Sequence, residues 1–181
     1  MSHHPYRTGA VVAFMLGCIA SPARAAAPAE TDFFGAALCQ PPYSITTATA
    51  IYEAAEKLAK PDTSSLGAAI YHLPAPVSRD GFVAQDVVFT GSSVGILVDG
   101  YVAAELAKRY DLEPEKSHLF GTSSLGFSRL LPDAEQGMKG LGLISIVARQ
   151  GPAMQNKTLL MCEFVSDEDR ASMEELEKQK P

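Results

Sequence analysis

The order of helix-like and strand-like segments is the feature that most constrains the fold of this chain. Apolar residues recur at helical spacing in 46–60 and 101–110, and a third helical segment follows at 167–180. Strand-like segments follow one another between these helices, whereas parallel strands would need a long crossover between each pair. The pattern therefore predicts an α+β fold with a mainly antiparallel sheet of five to seven short strands, two packed helices and an exposed C-terminal helix.

The strand-like segments are rich in β-branched and aromatic residues and are bounded by Gly, Pro and polar clusters. They lie at 67–74, 82–90, 95–100, 141–150 and 158–166, with two further short strands around a turn within 118–132. Loops are expected at 75–81, 111–117 and 133–140.

The first 25 residues have the layout of a secretory signal peptide. An apolar run at 10–20 follows a short polar start and precedes Ala23 and Ala25, which form an A-x-A cleavage pattern. The run is too short to span a hydrocarbon core of about 30 Å, so no membrane span is expected. Residues 26–45 are then an Ala/Pro tether with a docked irregular segment, and 46–181 form a single α+β domain.

This leader predicts a periplasmic or secreted protein of a bacterial cell envelope. The stretch MLGC at 15–18 is also a loose match to a lipoprotein signal. The alternative is therefore an envelope lipoprotein that is anchored by a lipid on Cys18.

Cys39 and Cys162 remain after removal of the leader, and an even pair outside the cytoplasm favours a disulfide. Leu160, Cys162 and Phe164 share one face of a strand, which places Cys162 toward the core. Two buried free thiols are the alternative.

A metal site with His72 and His118 lacks the short ligand spacing of zinc sites, so no metal or cofactor is expected.

The acidic charge of the chain limits its partners. The full sequence has a formal net charge of −6, and loss of Arg7 and Arg24 with the leader would leave 13 basic and 21 acidic residues, or −8. An acidic surface repels phosphate backbones, so nucleic acid is not an expected partner. A basic protein is the partner that such a surface would favour.

The stretch Gly91-Ser92-Ser93-Val94-Gly95 matches the G-x-S-x-G nucleophile elbow of α/β-hydrolases. An elbow requires a helix directly after the serine, but a β-branched run follows Ser93 and indicates a hairpin. A triad could use His118 or, in another chain order, His72. Closely similar stretches, SSLG, stand at 64–67 and 123–126, which favours a recurring turn and leaves open whether the three turns share one surface.

These observations predict an exported small binding protein of the bacterial cell envelope without a coherent catalytic constellation. It could be of the inhibitor or immunity type, with the three predicted loops as its contact regions. A pocket lined by Tyr71, Phe89 and Phe164 would instead favour a small ligand. The alternative function is a small serine hydrolase with Ser93 as its nucleophile.

Overall fold

A computed structural model describes residues 31–91, 93–115 and 125–178. Within these ranges, one antiparallel sheet of eight strands lies against α-helices, and its strand order is β1-β2-β3-β4-β8-β7-β6-β5. The strands are β1 Pro61–Asp62, β2 Ala69–Arg79, β3 Phe82–Thr90, β4 Ser93–Asp99, β5 Glu113–Pro114, β6 Leu125–Leu130, β7 Gly142–Gln150 and β8 Lys157–Ser166. The four described α-helices are α1 Phe33–Ala37, α2 Ile45–Leu58, α3 Ala103–Tyr110 and α4 Asp167–Lys178.

The sheet consists of two halves with the same order of elements. In each half a helix is followed by a two-residue strand and then by three longer strands: α2 with β1–β4, and α3 with β5–β8. Strands β4 and β8 pair antiparallel at the centre, so the halves are related by an approximate twofold axis normal to the sheet. The first SSLG stretch lies in the connection from β1 to β2, and Leu125 and Gly126 of the second begin β6, the strand equivalent to β2.

The main core lies between the sheet and its helices. Alternate residues of β4 and β8, such as Ile96 and Leu160, are fully buried on this face, because successive strand residues point to opposite faces. Ser44 caps α2 through a capping box with Thr47, which satisfies donors that the first helical turn leaves unpaired. Leu106 of α3 completes the core.

The α+β class and the antiparallel sheet are confirmed, but the predicted number of strands, five to seven, is too small. Strands β1 and β5 have two residues each and carry no detectable period-2 pattern.

The predicted loop at 75–81 is also wrong over most of its length, since β2 continues to Arg79 and turns into β3 at Asp80–Gly81. Pro74 and Pro76 mislead here because β2 has a register irregularity between His72 and Val77, where proline is tolerated.

The segment 26–45 contains a helix that its sequence does not reveal. Residues 33–37 form the five-residue helix α1, and all five are buried against the sheet. Asp32 caps it by accepting a hydrogen bond from Gly35 N at 2.7 Å. One helical turn is too short for an amphipathic period to be recognised, so the prediction of an irregular segment is corrected here.

The predicted disulfide between Cys39 and Cys162 is confirmed. The two residues are bonded, with their Cα atoms 5.1 Å apart and a sequence separation of 123. Cys162 lies on the core face of β8, as its alternation with Leu160 and Phe164 indicates. The bond therefore ties the segment that follows α1 to the centre of the sheet.

The opposite face of the sheet has a smaller apolar cluster beside a buried ion-pair network. Val88, Leu97, Val147 and Met161 form the centre of this cluster. Beside it, the Arg149 guanidinium donates hydrogen bonds to Glu115 and Glu163, with shortest N–O distances of 2.6 Å to each. Burial lowers the pKa of Arg149, but these two carboxylates outweigh burial and raise it, so the guanidinium stays charged.

Helix α4 follows β8 directly and is largely exposed, as the sequence predicts. No helix among the described residues is long and apolar enough to cross a membrane. The predicted leader at 1–25 and the alternative lipid site at Cys18 lie outside the described residues.

Candidate functional site

The G-x-S-x-G stretch forms a tight hairpin between two strands. Thr90 pairs with Ser93, so only Gly91 and residue 92 lie in the connection, and Gly91 has a φ of +54°. Glycine adopts such a positive φ without the steric cost that other residues incur. Ser93 then begins β4, a strand, so the elbow's strand–turn–helix geometry is not formed here.

The last glycine of the motif is explained by strand packing. A Cβ atom at Gly95 would lie 2.7 Å from the carbonyl oxygen of Leu160, closer than real Cβ atoms approach. Strands β4 and β8 can therefore meet at the centre of the sheet only because residue 95 has no side chain. Both glycines of the motif thus have structural roles that require no catalysis.

Ser93 is 5% exposed, and its Oγ accepts a hydrogen bond from the backbone N–H of Phe164 at 3.1 Å. His72 pairs with Asp86, which faces Leu97, four positions along β4 from Ser93. At about 3.3 Å per residue and about 4.8 Å between strands, the Cα atoms of His72 and Ser93 are roughly 16 Å apart. The structure does not bring these two candidate residues together, and His118 lies outside the described residues.

His72 belongs instead to an ion-pair network at one side of the sheet. Its Nδ1 is 2.8 Å from Oδ1 of Asp86, and the Lys157 ammonium bonds the other carboxylate oxygen. Burial raises the pKa of Asp86, but the hydrogen bonds from Lys157 and His72 outweigh this effect and hold the pKa below its usual range. The His72 side chain is 70% exposed, so its outer ring nitrogen faces solvent.

The three Ser-Ser-aliphatic-Gly stretches do not share one end of the sheet. Ala69, just after the first stretch, pairs with Phe89, which pairs with Val94 of the second stretch. Leu125 of the third stretch pairs with Gln150, at the opposite end of the sheet. The approximate twofold axis explains this separation, since it places equivalent connections at opposite ends.

A cavity of about 360 Å³ opens beside the first two of these stretches. We call it the aromatic pocket, because rings of Tyr43, Tyr52 and Phe89 form much of its wall. Helix α2, the ends of β2 and β3, and the start of β4 also contribute. The described lining residues are Tyr43, Ile45, Ala48, Thr49, Tyr52, Ala69, Phe89, Gly91 and Ser93. The pocket therefore contains Ser93, in a wall rather than in a catalytic arrangement.

Three rings with mutually perpendicular planes support the floor of the aromatic pocket. Tyr71 contacts Tyr52 and Phe89 edge to face, with centroids 5.9 and 5.6 Å away, and Tyr52 meets Phe89 at 5.2 Å. Such edge-to-face contacts are favourable and fix the ring orientations. Phe164 stacks on Tyr43 at 6.1 Å behind the wall. The aromatic residues considered from the sequence, Tyr71, Phe89 and Phe164, are thus part of the pocket or its support.

The polar groups at the pocket are hydroxyls. The hydroxyl of Tyr71, followed by the Glu56 carboxylate, raises the pKa of Tyr52, so Tyr52 is a neutral phenol at neutral pH. The Tyr71 side chain is fully buried. Tyr43 and Tyr52, which come from the irregular segment and from α2, had no signal in the sequence that marked them as pocket residues.

No group of three or more His, Cys, Asp or Glu side chains in the described ranges is arranged to hold a metal ion. No protein-family model, no curated protein and no solved structure matches this chain.

Proposed function

We propose that this chain is an exported binding protein of the bacterial cell envelope, and that the aromatic pocket binds a small apolar ligand. The observation that supports this proposal most directly is the cavity of about 360 Å³ with walls of Tyr43, Tyr52 and Phe89. Ligand pockets in proteins typically measure roughly 300–1,000 Å³ and are mainly apolar with a few polar groups. The aromatic pocket has both properties.

The walls define the chemical class of the ligand. Aromatic rings and the side chains of Ile45 and Ala48 favour a flat ring system or a short aliphatic chain. No charged side chain is among the described residues that line the pocket, which favours a ligand that is uncharged where it enters. Thr49 and Ser93 supply hydroxyls for one or two hydrogen bonds, which would fix its orientation.

Export and an acidic surface belong to the same proposal. The leader at 1–25 motivates export, and the disulfide is compatible with an oxidising compartment. If the protein acts on another protein, as an inhibitor or immunity-type protein would, its net negative charge favours a basic partner. The exposed acidic residues of α4 are available for such a contact.

Binding of N-phenyl-1-naphthylamine, an uncharged fluorophore that brightens in apolar sites, tests the pocket. Thr49→Trp would fill it, because Thr49 lines the cavity and its own side chain is exposed. Thr46→Trp is the matched control, since Thr46 is an exposed residue of α2 outside the lining. We expect Thr49→Trp to weaken binding about tenfold or more and Thr46→Trp to leave it unchanged.

Thermal unfolding of both variants shows whether they fold like the wild type. Equal binding by the two tryptophan variants would place the probe elsewhere and contradict the proposal. Absence of probe binding to the folded wild-type protein would contradict it as well.

A further inference from the structure

A second cavity, of about 410 Å³, lies on the helix face of the sheet near the end of α3. The described lining residues of this cavity and of the aromatic pocket do not overlap. We call it the arginine cavity, because Arg79 and Arg129 both line it. The other lining residues are Leu38, Gln40, Asp80, Tyr110 and Ile146, which come from the segment after α1, the β2–β3 hairpin, α3 and β7.

Two of the charges in the arginine cavity are already paired. Arg79 donates one hydrogen bond to Asp32 and another, of 3.0 Å, to Oε1 of Gln40. Asp80 accepts a hydrogen bond from Arg109, and this bond is the main cause that lowers the pKa of Asp80. Asp32 therefore neutralises the charge of Arg79, and Arg109 neutralises the charge of Asp80.

Arg129 is the remaining charged side chain among the described lining residues of the arginine cavity. Its Nε donates to the carbonyl oxygen of Tyr110 at 3.2 Å, and no described residue accepts a hydrogen bond from its Nη1 or Nη2. Arg129 is partly buried, and no carboxylate in the described ranges forms a salt bridge with its guanidinium. A charged donor that is fixed at one end and unpaired at the other is suited to bind an anion.

We propose that the arginine cavity binds a small organic carboxylate through Arg129. A guanidinium presents two parallel N–H groups that match the two oxygens of a carboxylate. Leu38, Ile146 and the Tyr110 ring supply apolar surface for the organic part of the ligand. The Tyr110 hydroxyl already donates to Asp80 at 3.2 Å, so it keeps that carboxylate satisfied while the ligand occupies Arg129.

The same chemistry disfavours an inorganic phosphate. A phosphate carries more negative charge than a single unpaired guanidinium neutralises, and Asp80 would lie beside it. A carboxylate brings one charge, which Arg129 balances. A carboxylate with an attached ring or chain also covers the apolar wall that a phosphate would leave in contact with water.

Titration of the disulfide-bonded protein, followed by isothermal calorimetry and by amide chemical shifts, tests the proposal. The probes are sodium acetate, benzoate and succinate, with benzamide as the neutral counterpart of benzoate and sodium phosphate as the inorganic anion. We expect at least one carboxylate to bind and to shift resonances near Arg129, and we expect benzamide and phosphate to bind more weakly.

Arg129→Gln removes the charge, and loss of a hydrogen bond to a charged group should weaken carboxylate binding about 10- to 100-fold. Arg170→Gln, on exposed α4, is the matched control and should bind like the wild type. Arg129→Lys keeps the charge without the fork and should give an intermediate affinity, which also covers the case that Arg129→Gln fails to fold.

Three results would overturn the proposal: no binding of any of the three carboxylates, equal binding of benzoate and benzamide, or unchanged binding in both Arg129 variants. Because Thr49 is not among the described residues that line the arginine cavity, Thr49→Trp should leave carboxylate binding intact. Failure of the aromatic pocket and failure of the arginine cavity are therefore distinguishable.

Discussion

Removal of the disulfide should destabilise this protein strongly, because the bond closes a very long loop. Cys39 and Cys162 are 123 residues apart in sequence, and both are buried in the main core. In the chain-entropy model, a cross-link of this length reduces the entropy of the unfolded chain enough to stabilise the fold by about 5 kcal/mol. For a domain of this size, the midpoint of thermal unfolding should then fall by about 10–20 °C.

The double variant Cys39→Ala/Cys162→Ala, compared with the wild type by urea unfolding with and without reductant, measures this effect. We expect the variant to lose stability in both conditions and the wild type to lose it only with reductant. Reductant should not change the unfolding of the variant, which controls for other effects of the thiol reagent.

The position of the bond adds a functional consequence. Tyr43, a wall residue of the aromatic pocket, follows Cys39 by only four positions. Reduction should therefore weaken binding of the naphthylamine probe before the protein unfolds as a whole. A stability loss below about 1 kcal/mol, or alkylation of both Cys39 and Cys162 in the unreduced protein, would refute the reasoning.

Three further predictions concern the central hairpin and the His72 network. Gly95→Val should cost about 1–3 kcal/mol in urea unfolding, since a Cβ there would meet the Leu160 backbone, and an unchanged midpoint would contradict the packing argument. A fluorophosphonate should not label Ser93, and labelling that Ser93→Ala abolishes would revive the hydrolase alternative. Because Lys157 helps to lower the pKa of Asp86, the stability that this pair contributes is present above about pH 4 and is lost as pH falls through the lowered pKa. Urea unfolding of Lys157→Met should thus show a deficit at pH 7 that disappears in acid, and a deficit independent of pH would exclude this explanation.

The repeated architecture shows how weak a sequence signal can be when a structural repeat is clear. The stretch SSLG at 64–67 lies before β2, whereas Leu125 and Gly126 of the second SSLG lie in β6 and the described residues of SSVG, 93–95, lie in β4. The sequence alone suggested three uses of one turn. The structural repeat instead resides in the order of helices and strands and not in these short stretches.

Local patterns predicted the parts of the fold that depend on neighbouring residues. The helix at 46–60 is α2, the strand at 82–90 is β3 with the same bounds, and the face of β8 that carries Cys162 follows from period-2 alternation. These features succeed because backbone preference and the burial of alternate side chains act over a few residues.

The sequence by itself predicted the α+β class, the mainly antiparallel sheet and the pairing of Cys39 with Cys162. Only the tertiary structure decided the strand order, the buried helix α1 and both cavities. Tyr43, Tyr52 and Phe89 come from three different elements, and Arg79 and Arg129 come from different halves of the sheet. Their proximity depends on long-range strand pairing and on the disulfide, and no local spacing in the sequence encodes it.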